Sequence, residues 1–403
     1  LFWAQHYKVA IWLDSNNYLQ DHSSFDAVLA VDAFSEIETD YNNAFQQLKE
    51  FTTKTNDYIF GFLGYDLKND VEKLTSNNFD GLHFPDLYFF QPKKLFFIKG
   101  NTVEVKYIST FKNEIESDLK EISQPTINIH QPATKPIKIK LRIHKDEYFK
   151  KLNSVLNHIH RGDIYEANFC QEFYSENSTI NPLEIYQNLN EISKPPFATF
   201  LKLNNKFLLS ASPERYLKKD GNTVISQPIK GTEKRATSKK EDLKLISALE
   251  KNPKERAENI MIVDLVRNDL SRSAIKGSVK VDELCKVYTF EQVHQLISTI
   301  SCKVKPTIHP VDIIKDTFPM GSMTGAPKIS ALKIMEELEE TKRGLYSGAV
   351  GYFTPNGDFD FNVIIRSILY NASKKYISYS VGGAITAQSI PEKEYEECLL
   401  KAK

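Results

Sequence analysis

The sequence predicts an α+β protein in which layers of antiparallel β-sheet carry helices on their outer faces. Three observations lead there. The last hundred residues read as a meander of β-branched and aromatic runs broken by an Asn-Gly turn. Strand-like runs recur through the first 121 residues. Long amphipathic segments lie among these sheet-rich stretches, a mixture that favours a layered α+β domain over a doubly wound parallel sheet.

In chain order, Val9–Leu13, Ala27–Val31, Leu87–Phe90 and Leu95–Ile98 read as strands separated by polar helical segments. Residues 122–140 hold three prolines among polar filler and predict a connection between an N-terminal region, 1–121, and a larger region, 141–403. His144–His160 has the apolar periodicity of a helix, and Lys206–Ile229 reads as a hairpin turning at Asp220, Gly221 and Asn222. Asn252 followed by Pro253 marks a capped helix start. Residues 318–330 form a glycine-rich turn feeding a helix whose first turn holds Pro327. Gly344–Thr354 and Asp358–Tyr370 flank Pro355, Asn356 and Gly357, and Tyr376–Thr386 continues the meander. Ser389 to Glu392 predicts one more capped helix start.

Lys plus Arg and Asp plus Glu both number 52, so no basic field points to nucleic acid or an anionic membrane, and a small-molecule substrate is expected. Four scattered cysteines without a C-x-x-C pair exclude a zinc ribbon and fit reduced thiols in the cytoplasm. No apolar run approaches membrane-spanning length, and the first twenty residues lack the pattern of a secretory signal.

Four groups of residues carry chemistry. Gln227–Lys234 places Lys230 in a tight turn after an apolar strand, where burial or a neighbouring cation would lower its pKa towards the range of a nucleophile; taken alone, a lysine before glycine is more often a solvated turn residue, and the company it keeps along the chain reverses that reading. Glu255 and Glu258 share one helix face, although Glu255 is also placed to close a capping box. Glu394, Glu397 and Lys401 share a face of the last helix, and the two carboxylate pairs suit a hard cation such as Mg2+, which one or two carboxylates and an anionic substrate usually hold. The turn at Gly321–Lys328 offers backbone N–H groups to an anion, but its spacing is not that of a phosphate-binding P-loop.

Together these motifs resemble the chorismate-utilising enzymes. The resemblance runs over essentially the whole chain and rests on Ala211–Arg215 (ASPER), Pro228–Thr232 (PIKGT), Ala257 and Glu258 with Val263–Leu270 (VDLVRNDL), Gly321–Lys328 (GSMTGAPK), Gly382, Gly383, Glu394, Glu397 and Lys401. Ile11–Ser15 and Gly61–Leu67 resemble that family's regulatory-side half. Lys230, where anthranilate synthases typically have Ala, and the GSMTGAPK form both look like the branch that aminates chorismate at ring C4. Glu166 departs from the pattern: isochorismate and salicylate synthases have a lysine base there, and the aminating enzymes more often Gln.

The resemblance implies a covalent Lys230 nucleophile with Glu214 as proton carrier, Mg2+ on Glu258 and Glu397 with Glu255 and Glu394 contributing, and a substrate pocket of Thr232, His294, Ser322, Tyr346, Arg366, Gly382, Gly383 and Lys401. It also implies ammonia from a separate glutamine amidotransferase subunit, since no cysteine here lies in a Gly-x-Cys-x-Gly elbow. An anthranilate-forming activity, an isochorismate-type activity and a catalytically silent binding subunit stay open as alternatives, as does a tryptophan pocket at Ser15 against a plain strand-end serine.

Overall fold

A computed structural model describes residues 1–18, 25–124 and 137–402. Helix and strand take nearly equal shares, 34% and 36%, and every pairing between strands of two or more residues among the described residues is antiparallel, which makes the fold α+β. Most of the proline-rich connection, residues 125–136, lies outside the described residues.

Two series of strands diverge from the long strand Leu87–Lys99. One runs through Ala27–Thr39, Val9–Asp14, Phe197–Leu203, Lys206–Ser212, Ser367–Asn371 and Tyr376–Thr386 to Glu166–Ser175. The other runs through Ile59–Leu63, Ala349–Phe353, Phe359–Val363, Arg215–Asp220 and Thr223–Gln227 to Val293–Lys303. One apolar cluster joins residues of both series, among them Val28, Leu201 and Leu208 from the first and Phe62, Leu217 and Phe361 from the second. Aromatic packing such as Phe353 edge-on to Phe361, centroids 5.1 Å apart, adds about 0.5–1.5 kcal/mol per pair beyond its buried area.

The helices lie on the outside. Lys145–Arg161, Lys328–Leu338 and Pro391–Lys401 pack on the strands Glu166–Ser175 and Tyr376–Thr386, and Pro253–Ser271 covers Val293–Lys303 and Ile229–Lys234.

Several local expectations change. Leu87–Phe90 and Leu95–Ile98 are one strand, which passes Pro92 at a bulge opposite Ala33 and Ser35, where the missing N–H costs no regular ladder bond. Asp358–Tyr370 is two strands, broken at Arg366, whose φ is +50°. Pro327 caps its helix from outside, and the last helix is capped at Ile390, because the Ser389 hydroxyl accepts the Thr386 N–H instead. The hairpin turns at Gly221 and Asn222 as the residues predict but spans only Arg215–Gln227, because Lys206–Ser212 pairs with Phe197–Leu203 and Ser367–Asn371 instead; the capped start at Asn252 is as predicted.

Candidate active site

Lys230 lies in a bulged strand rather than in a tight turn. Ile229–Lys234 pairs with Val293–Lys303, and the register slips between Ile229 and Thr232. Gly231 sits in the slip at φ +86°, a conformation costly for any side chain, and a Cβ there would stand 3.0 Å from Glu255 Oε2 and 3.1 Å from Leu296 Cδ1. The bulge turns Lys230 towards the strand Glu166–Ser175, and its Nζ lies 3.3 Å from Glu166 Oε1, with the side chains 13% and 1% exposed.

The expectation of a depressed lysine pKa is corrected by this setting. Burial lowers the Lys230 pKa, but the charges of Glu166, Glu258 and Glu214 outweigh it, so the group is held above its ordinary value.

Glu214 occupies the link between the strands Lys206–Ser212 and Arg215–Asp220 and is buried. Its carboxylate accepts the Ser322 hydroxyl at 2.5 Å. Burial raises its pKa to about 7, against the pull of Ser322, Lys230 and Arg366, so this carboxyl exchanges a proton near neutral pH. Surrounding protein lowers the Arg366 pKa, and the charge of Glu214 opposes the shift.

The candidate metal carboxylates come from two helices. Burial pushes Glu258 up to about 7, opposed by Lys230 and reinforced by the charge of Glu255. Burial also raises Glu255 and Glu394, and the charge of Glu397 adds to both shifts. Burial raises Glu397 as well, but Lys401, at 2.7 Å, together with Lys254 and Lys230 brings its pKa below the ordinary value. Among the described residues no three His, Cys, Asp or Glu side chains converge into a closed metal cage. Glu255, Glu258 and Glu394 are raised by burial and by neighbouring carboxylates, and an oxygen-only set of this kind fits a cation completed by substrate and water.

The remaining expected pocket residues fall into two groups. Gly382 and Gly383 lie opposite Cys170 and Phe169, and a Cβ on Gly382 would stand 2.5 Å from Cys170 Sγ and 2.7 Å from Asn168 Oδ1. Lys401 Nζ donates to Gly382 O at 3.2 Å, and Tyr346 meets Cys170 Sγ at 4.0 Å, so these residues form one wall of contacts along the paired strands Glu166–Ser175 and Tyr376–Thr386. Asn168 Nδ2 donates weakly to Ser322 O at 3.4 Å, joining that wall to Glu214. Thr232 receives the Gln295 amide at 3.3 Å, whereas the buried His294 bonds Asp242 at 2.8 Å and Thr289 at 2.9 Å, partners outside the Lys230 and Glu214 centre.

Sequence reasoning passed over the residues that hold these parts in place. Arg343 forks onto Glu339, donates to Met323 O and Asn168 O at 2.7 Å each, and so ties the turn carrying Ser322 to the strand carrying Glu166. Lys328 and Asp269 form a buried pair at 2.6 Å beneath the same turn. For Arg343 the sequence signal was its spacing of four from Glu339, shared by many solvated helix pairs, whereas Asp269 and Lys328 stand in the VDLVRNDL and GSMTGAPK motifs without a role that sequence alone assigns.

The chain matches the chorismate binding enzymes over residues 8–403. It is 35% identical over 345 residues to an anthranilate synthase component I-like protein of Synechocystis, covering 85% of this chain and 70% of that one. It is 31% identical to aminodeoxychorismate synthase component 1 of Bacillus subtilis, covering 92% and 79%. In five other curated relatives the matched stretch spans only between 29% and 55% of the protein. The crystal structure of anthranilate synthase component I from Streptococcus pneumoniae superposes with a TM-score of 0.84 at 26% identity, covering 96% of this chain and 93% of that one. A match over nearly the whole length, on the fold of a solved relative that superposes over 96% of the chain, places this chain in the chorismate binding enzyme family.

Proposed function

We propose that this chain is an aminodeoxychorismate synthase component I, which converts chorismate and ammonia to 4-amino-4-deoxychorismate for 4-aminobenzoate and folate formation, with Lys230 as covalent nucleophile. The observation that carries this reading is the approach of an amine and a neutral-range acid in one site: the charge of Lys230 reaches Glu214, whose pKa is about 7. Neutral Lys230 attacks ring C2 as the C4 hydroxyl departs with the proton of Glu214; ammonia then attacks C4 and releases the lysine, and the enolpyruvyl group stays in place. Ser322 orients the Glu214 carboxyl. Arg366 offers a planar fork to a substrate carboxylate, and Gly382, Gly383 and Lys401 complete the anion site with Thr232, Tyr346 and His294 around it.

Glu258 and Glu397 would hold Mg2+, with Glu255 and Glu394 contributing. When bound, the ion supplies charge neutralisation for the substrate carboxylate. A glutamine amidotransferase subunit supplies ammonia; the component 1 designation of the Bacillus relative supports such a partner. Four free cysteines fit a reducing compartment such as the cytoplasm.

Anthranilate formation is the second reading, favoured by the similarity to anthranilate synthase proteins. Mass-resolved product analysis with chorismate, Mg2+ and ammonium, with and without an aminodeoxychorismate lyase, separates the two. The proposal requires aminodeoxychorismate that becomes 4-aminobenzoate only with the lyase, and requires Lys230→Ala to lose that amination. Anthranilate overturns it.

A further inference from the structure

The Glu214 carboxyl takes its orientation from the Ser322 hydroxyl, so its place depends on the turn that carries Ser322. That turn, Gly321–Met323, has weak support from the sheet: the pairing that follows it is two residues long, Gly325 and Ala326 against Ala167 and Glu166. The strand it meets is laddered to Tyr376–Thr386 over its whole length, Glu166–Ser175. The strand is therefore fixed by its backbone, and the turn is left to side chains.

The buried guanidinium of Arg343 supplies that hold. Its Nη1 donates to Met323 O, one residue past Ser322, and its Nη2 to Asn168 O, both at 2.7 Å. Asn168 N donates to Thr324 O at 2.7 Å, and its Nδ2 reaches Ser322 O at 3.4 Å, so both sides of the turn are tied to one cation. The cation is fixed in its turn. Glu339 accepts Nε at 2.9 Å and Nη2 at 2.6 Å, and also takes the Cys170 N–H at 3.0 Å. The ring of Tyr65 lies against the guanidinium, 4.5 Å from its central carbon, in a cation–π contact. Tyr65 and Asp66 belong to the N-terminal region, and they also grip the next residue: Tyr65 N donates to Gly344 O at 2.7 Å and Gly344 N donates to Asp66 Oδ2 at 2.9 Å. A planar fork serving a carboxylate and two carbonyls at once is a geometry that the point charge of a lysine does not reproduce.

We propose that Arg343 is a positioning residue for the reaction: its fork fixes the Gly321–Met323 turn so that Ser322 holds the Glu214 carboxyl in place, and Tyr65 seats the guanidinium from the N-terminal region. This rests on Glu214 as proton carrier in the amination reading. Arg343 acts through Ser322 and not on the substrate. The N-terminal region, whose motifs resemble a regulatory half, thereby contributes to the geometry of the catalytic acid.

The test is a double-substitution cycle on the intact chain, Arg343→Lys with Ser322→Ala, read as kcat and KM for chorismate with ammonium and Mg2+, alongside urea unfolding of each variant. Arg343→Lys keeps the charge and loses the fork, and kcat should fall about 10- to 100-fold, the scale of a small misplacement near the chemistry. KM should change less than about threefold, because Gly382 and Gly383 are held by the paired strands. Ser322→Ala should lower kcat to a similar extent, and in that background Arg343→Lys should cost less than about threefold more, since the bond it protects is already gone. Tyr65→Leu should lower kcat in the same way, and Tyr65→Phe, which keeps the ring, should retain most of that loss. Losses that multiply in the double variant would show that Arg343 does not act through Ser322, and reduced stability with unchanged kcat would show a purely structural pair; either overturns the proposal. Should Arg343→Lys fail to fold, the same cycle with Tyr65→Leu in its place decides by the same two outcomes. Ser322→Ala with full turnover overturns the proposal while leaving the amination reading intact. Anthranilate from the wild-type chain overturns the amination reading instead, and the cycle is then read on anthranilate.

Discussion

Replacing Glu214 by Gln should make the protein more stable at the pH where it makes it inactive. The carboxyl is 4% exposed and its pKa is about 7 against an ordinary 4.5. That shift corresponds to roughly 3 kcal/mol at about 1.36 kcal/mol per unit of pKa. Because the folded-state pKa lies above the unfolded one, the folded protein keeps a proton that the unfolded chain has lost between about pH 4.5 and 7. Stability from this group is fully present below 4.5, falls as pH rises through 7 and levels off above it. Gln has nearly the same shape, bonds Ser322 through its amide oxygen and carries no charge, so its stability lacks this slope. The advantage of Glu214→Gln over wild type should therefore grow by about 2–3 kcal/mol from pH 5 to pH 8. Urea unfolding of both proteins at pH 5, 6, 7 and 8 measures it, while chorismate turnover at pH 7.5 should fall by about 100-fold or more with the proton carrier gone. An advantage that does not change with pH would refute a charged, buried Glu214.

Gly231→Ala should cost about 1–2 kcal/mol for a side chain in the left-handed region, plus the approach to Glu255, and should lower turnover by moving Lys230; urea unfolding with unchanged stability would remove the bulge from the explanation. Lys328→Met leaves Asp269 buried without its partner and should destabilise by about 3–5 kcal/mol, part of which Asp269→Leu in the same chain should restore; denaturant midpoints of both variants check this. Glu258→Gln should raise the Mg2+ concentration for half-maximal turnover at least about tenfold, and an unchanged Mg2+ titration would remove Glu258 from the ligand set.

Much of this was legible in the residues because the signals were local. Asn252 and Pro253 announce a helix start that depends only on the next three N–H groups, and the Asn252 side chain does accept from Lys254 and Glu255. Gly221 and Asn222 specify a tight hairpin by backbone preference alone. The α+β class followed from strand-like alternation interleaved with helical periodicity, and the family resemblance followed from long motifs in fixed order, which similarity over residues 8–403 bears out.

What the residues did not disclose depends on partners far away in the chain. The bulge at Gly231 needs Val293–Lys303 to pair against, and the break at Arg366 arises where the chain leaves Arg215–Asp220 to join Lys206–Ser212. Nothing near Lys230 in sequence reveals that Glu166, 64 residues away, and Glu258 would hold its proton. The sequence by itself determined which elements form and which chemical groups the chain possesses, because propensity, capping and turn geometry act over a few residues. The tertiary structure alone decided how those groups are ionised, since a pKa is set by burial and by charges that only the folded sheets bring within a few ångströms.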